Sequence, residues 1–102
     1  MSEIAIANDR EQNRYLITAD GAPVGFAEYR EQPGELIITH AEIDAALGGQ
    51  GFGSRLVAFL LQDARDRDLD VVPQCPFVRD YIIRHPEHHD LVPEKRRAAF
   101  GL

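Results

Sequence analysis

Thiol chemistry is nearly absent from this chain, which holds a single cysteine, Cys75. One cysteine can form neither an intrachain disulfide nor a multi-cysteine zinc site, so a reducing, cytoplasmic location is expected. Long hydrophobic runs are missing as well. The longest unbroken apolar stretch is Leu56 to Leu61, far short of the roughly 20 residues a spanning helix needs. The start, MSEIAIANDREQ, has neither a basic region nor an apolar one, so no leader and no membrane partner are expected. Positive charge is in deficit: 11 Lys and Arg stand against 17 Asp and Glu, a formal net charge of −6. That balance repels phosphate backbones and excludes nucleic acid as an expected partner. The short run Lys95-Arg96-Arg97 reads as a solvated stretch. Repeats, low-complexity tracts and linkers are also lacking. What remains is ordinary globular composition, 44% apolar and 27% charged over 102 residues. It suits one domain over 1–102 that builds its own core, with a tail that frays from about residue 93.

Period-two alternation marks the strands. Ile4 and Ile6, then Tyr15, Ile17 and Ala19, alternate with polar neighbours, and Asn8 to Asn13 forms the turn between them. Asp20-Gly21 is a hairpin signal, so Val24 to Arg30 should pair back antiparallel. After a turn at Pro33-Gly34, Leu36 to Ile43 makes a fourth strand. The pattern changes at Gly48. Phe52, Leu56, Leu60 and Ala64, flanked by Val57 and Leu61, follow helical spacing until Asp68 to Asp70 close the helix. Val71-Val72-Pro73 is a short buried strand, and Pro76 to about Arg84 a second helix with Cys75 at its cap and Pro86 as its breaker. These elements add up to an α+β domain with one dominant, mainly antiparallel sheet.

The chemistry-bearing feature is the glycine cluster Gly48, Gly49, Gly51 and Gly53, placed between a strand and a helix start. The first N–H groups of a helix lack intrahelical partners, and the macrodipole adds about half a positive charge there. Glycines let an anion approach that backbone, and Ser54 and Arg55 can add donors. Such a cluster also simply caps helices. No Lys-Ser/Thr pair follows it, so it is not a nucleotide-hydrolysing P-loop.

The run GGQGFGSRL resembles the pyrophosphate-binding motif Arg/Gln-x-x-Gly-x-Gly/Ala of the GNAT acetyltransferase superfamily. HAEI, GGQGFGSRLV, VVPQCPFV and YIIRHPEHHDLV resemble, in that order, the small GNAT-like proteins of roughly a hundred residues, over about Leu36 to Val92. Two positions depart from the pattern. Gly48 stands where the motif has a basic residue or Gln, and Ala41 follows His40 where the small proteins have Thr.

The resemblance implies a fifth strand splayed from the fourth, with an acyl-CoA between them. Ala41 and Ile43 would then offer backbone groups, and Gly49, Gln50, Gly51, Phe52, Gly53, Ser54 and Arg55 would hold the pyrophosphate. It implies acetyl-CoA as acyl donor and an N-acetyltransferase acting on an amine that the residues do not specify. The alternatives are a non-catalytic acyl-CoA-binding sensor or partner-regulating module, and a structural interaction domain. Amine attack needs a proton acceptor, since a lysine-type amine has a pKa near 10.4. Glu42 and His40 are the candidates, against the plainer view of both as solvated strand residues. The departing thiolate needs a proton, for which Tyr81 and Cys75 are candidates. Each is equally readable as core packing. At a helix N-cap the Cys75 thiol could also act as a nucleophile. His85, His88, His89 and Asp90 lack ligand spacing, because Pro86 interrupts the helix and two of the histidines are adjacent; no metal is expected.

Overall fold

At Asp20-Gly21 both residues take positive φ, 52° and 83°, the two-residue turn whose twist matches paired strands. It joins β2 (Arg14–Ala19) to β3 (Ala22–Gln32), with β1 (Ile4–Asp9) on the far side of β2. Pro33-Gly34 then leads into β4 (Glu35–Ile43), antiparallel to β3. The chain crosses through helix α1 (Phe52–Asp66) and returns as β5 (Asp70–Pro73), parallel to β4. The sheet order is therefore β1-β2-β3-β4-β5 in this computed structural model, which describes residues 3–102. Met1 and Ser2, part of the stretch read above as no leader, lie outside the described residues. The α+β class and the parting of the fifth strand agree with expectation.

Helix α1 buries the stripe read from its spacing: Phe52, Leu56, Val57, Leu60, Leu61 and Ala64. They pack on Tyr15, Ile17, Ala27, Tyr29, Leu36 and Ile38 from one face of the sheet. Each large apolar side chain so buried stabilises the fold by about 1.5–3 kcal/mol. Asp68 ends the helix in the left-handed region at φ 56°. Its N–H donates to Arg65 O at 3.2 Å, and the Leu69 N–H donates to Ala64 O at 2.9 Å, a Schellman closure with aspartate in the usual glycine position. Tyr15 ties this end to the sheet, donating its hydroxyl to Asp63 at 2.7 Å, while Arg67 spans Asp63 and Glu31 at 3.1 and 2.9 Å.

A β-bulge in β4 sets the orientation of the candidate base residues. The register runs Tyr29↔Ile38 and then Glu28↔His40, leaving Thr39 as the extra residue. Leu36 and Ile38 face the core; past the bulge the parity reverses, and Ala41 and Ile43 pack against it instead. His40 and Glu42 are thereby turned to the opposite, open face of the sheet.

Helix α2 (Pro76–Arg84) begins at Cys75, as expected, and buries Val78, Tyr81 and Ile82. Pro86 breaks it, but the chain continues as a 3-10 turn, Pro86–Leu91, that buries Leu91. A short helix α3 (Glu94–Arg97) and a last turn, Ala98–Phe100, follow, with Phe100 and Leu102 packed against the core.

Candidate functional site

Asp44 closes β4 by accepting the Ala46 N–H at 3.0 Å, and a single turn, Ala45–Leu47, delivers the chain to the glycines. Gly49 and Gly51 both hold positive φ, 84° and 78°, conformations that side chains rarely adopt. Gly51 is the N-cap of α1, and the first intrahelical bond runs from Arg55 N–H to Gly51 O at 3.1 Å. The N–H groups of Phe52, Gly53 and Ser54 are left without helical partners. They border a cavity of about 340 Å³ with Gly49, Gly51, Leu47, Ile43 and Phe77. Gln50 and Arg55 do not line it, and the Arg55 amide is already committed.

Phe77 is the residue the sequence reading missed. It sits in the first turn of α2, 43% exposed, and a Cβ on Gly53 would lie 2.4 Å from its ring. Gly53 is small because an aromatic wall stands against it. A large apolar residue directly after the Pro at a helix start was the available signal.

The slot beside this cavity comes from a ladder that stops early. Strands β4 and β5 pair from Glu35↔Asp70 to Ile38↔Pro73, and the Cys75 N–H donates to Ile38 O at 3.0 Å. Beyond that bond β4 continues from Thr39 to Ile43 without β5, paired with β3 only. Asp44 N–H donates to Val24 O on the β3 side. Antiparallel alternation therefore turns the N–H and C=O of Ala41 and Ile43 away from β3, into the slot. Cys75 stands where the two strands part, 3% exposed and within the core cluster.

On the open face, His40 Nε2 lies 3.3 Å from Glu42 Oε1, both side chains at least half exposed. Glu42 borders a second cavity of about 640 Å³ with Arg14, Leu16, Phe26, Ile43 and Asp44. Ile43 lines both cavities, so the glycine-loop site and the open-face cleft adjoin at one residue. Of the expected site residues, Glu42 and Ile43 line the open-face cleft, and Ile43 with Gly49, Gly51, Phe52, Gly53 and Ser54 lines the glycine-loop cavity; His40, Ala41, Cys75 and Tyr81 line neither.

Tyr81 instead stacks on His85, ring centres 3.9 Å apart and 16° from parallel. His85 Nδ1 donates to Tyr81 O at 2.7 Å and His89 Nε2 to Ile82 O at 2.9 Å. Carbonyls only accept, so these rings carry their protons on those nitrogens and cap the last turn of α2. Burial pushes the pKa of His88 below its ordinary value, with Arg65 and His85 acting the same way and Glu87 and Asp90 opposing. The Arg65 guanidinium, bidentate on Asp90 at 2.8 and 3.0 Å, holds that carboxyl below the usual range.

Residues 14–91 match the family model of GCN5-related N-acetyltransferases. Among solved structures, a GCN5-like protein from Staphylococcus aureus, assigned but not demonstrated as an N-acetyltransferase, superposes with a TM-score of 0.71. It is 26% identical, and the alignment covers 90% of each chain. No curated protein matches the chain.

Proposed function

The chain belongs to the GCN5-related N-acetyltransferase family, and from that premise we propose that it moves the acetyl group of acetyl-CoA onto a primary amine. The observation that carries this reading is the slot itself. A stretch of β4 whose edge away from β3 has no partner strand runs from the Cys75–Ile38 bond to a helix start whose residues line a cavity. The residues fit a CoA ester. Gly49 and Gly51 have open space where a Cβ would stand, so a pyrophosphate can reach the N–H groups of Phe52, Gly53 and Ser54. The edge of Ala41 and Ile43 would hold the pantetheine amides as an added strand would be held.

When bound, the donor supplies an acyl group activated as a thioester. The chain's own groups supply the rest. A backbone N–H of the β4 edge polarises the carbonyl oxygen as charge develops on it. The amine nitrogen forms the new C–N bond as the C–S bond breaks. Glu42, or His40 beside it, accepts the proton the nitrogen loses. The sulfur regains a proton from Cys75 at the closed end of the slot, from Tyr81 or from water. We assign Cys75 the part of a proton donor or lining group rather than an acetyl carrier; its burial supports that choice over the carrier role.

The test is incubation with acetyl-CoA and a mixture of primary amines, read by mass spectrometry. An acetylated amine with matching release of free CoA is expected. CoA bound without product would favour the non-catalytic acyl-CoA-binding alternative.

A further inference from the structure

The open-face cleft holds a cation that acetyl transfer does not require. Among the described residues, Arg14, on β2, is the one Lys or Arg lining that cleft, its guanidinium carbon 6.0 Å from the centre of the Phe26 ring. Directly opposite it on β3 is Glu28, yet the nearest carboxylate is Asp9, 3.7 Å from Nε. That separation is too long for a hydrogen bond. Nε is shut off from water without a partner, and among the described residues neither Nη is hydrogen-bonded. Across the sheet, Leu16, Phe26 and Glu42 form one cross-strand row. Strands lie about 4.8 Å apart, so β2 and β4 are separated by about 10 Å. The cleft therefore has a guanidinium with uncommitted donors at one end and Glu42 at the other, with Phe26 between; His40 stands beside Glu42, outside the lining.

Building on the acetyl-transfer reading, we propose that the acceptor is a free amino acid, its carboxylate held by Arg14 and its amine directed to His40 and Glu42, where the donor cavity adjoins at Ile43. Guanidinium and carboxylate match in planar, two-point hydrogen bonding. A polyamine would meet Arg14 as a like charge. A lysine within a peptide brings no carboxylate to this end. A zwitterion also carries no net charge, so the overall −6 of the protein does not repel it. In the transfer, the amine nitrogen gains the acetyl carbon, the thioester sulfur leaves, and the amine proton passes to His40 or Glu42. The carboxylate is unchanged.

The experiment compares kcat/KM for a series of α- and ω-amino acids with their carboxamides and with a lysine-containing peptide, at saturating acetyl-CoA. The free acids should be preferred by on the order of tenfold, which corresponds to about 1.4 kcal/mol. In Arg14→Gln the acid-to-amide ratio should fall toward one, and Arg14→Lys should retain part of it. Equal use of acid and amide by the unaltered protein, or a ratio unmoved by Arg14→Gln, overturns the inference and leaves acetyl transfer standing. If CoA binds but no amine is acetylated, the transfer reading fails. Calorimetric titration of the CoA-loaded protein with the same acids and amides then decides the cleft alone: tighter binding of the acids supports it, and no difference overturns it.

Discussion

Gly53 carries two demands at one position. Its N–H belongs to the free helix start, and its missing side chain admits the Phe77 ring, which a Cβ would approach to 2.4 Å. A methyl group there must move an aromatic ring or the helix, at a cost of about 1–3 kcal/mol. Gly53→Ala should thus cost less in a Phe77→Ala background than in the unaltered protein, measured by denaturant melts of the four chains of that cycle. Strictly additive costs would show that the ring is not the obstacle. Gly51 poses a different problem. A built Cβ meets nothing within 4 Å, but φ is 78°, so Gly51→Val strains the backbone without filling the core. Gly51→Val and Gly53→Val should each weaken CoA binding, and calorimetry on either folded variant reads it. On the acceptor side, replacing His40 and Glu42 together by Gln should lower turnover by roughly 10²–10⁴-fold while CoA remains bound. Unaltered turnover would assign the proton to water.

Among the elements, α1 and α2 were legible because their apolar residues recur at helical spacing and their boundaries carry explicit signals: glycines before Phe52, Asp68 after the last turn, Pro76 and Pro86 around α2. The bulge at Thr39 was not. In β4 the consecutive apolar residues Leu36, Ile37 and Ile38 hide the alternation, and only the adjacent polar pair Thr39-His40 hints that its parity reverses. The glycine segment was legible from composition, whereas Phe77 was not, since its role arises from a contact between two helix starts far apart in the chain. The end of α2 gives a pH prediction. The His88 pKa is lowered in the fold, so the unfolded chain binds the proton more readily there. Stability is then fully present above the ordinary value of about 6.5 and declines as pH falls from there through the lowered folded value. The melting temperature should drop on going from pH 7.5 to 5, and His88→Gln should flatten that drop. An equally steep drop in the variant would place the titration elsewhere. At the other end of α1, Tyr15→Phe removes the hydroxyl bonded to Asp63, and a loss of about 1 kcal/mol in chemical denaturation is expected.

At the scale of the whole molecule, the sheet is packed by helices on one face while the other presents its cleft to solvent, and the two meet along the part of β4 that β5 does not pair. Among the described residues, the lining of the glycine-loop cavity includes no lysine or arginine. An anion held there is held by N–H groups and a helix terminus, so CoA affinity should depend only weakly on ionic strength. A steep loss of affinity between low and moderate salt would instead implicate cations outside that lining, such as Arg79 or Arg84 of α2. Acetyl transfer at this site requires the donor to lie between β4 and the start of α1. The most direct measurement is a titration of the isotopically labelled protein with CoA, followed by backbone amide shifts. The largest changes should fall on Gly49 to Ser54, on Ala41 and Ile43, and on Cys75 at the end of the slot, with β1 and the outer side of α1 unmoved. Saturation without change in the glycine segment, or changes confined to other elements, would contradict it.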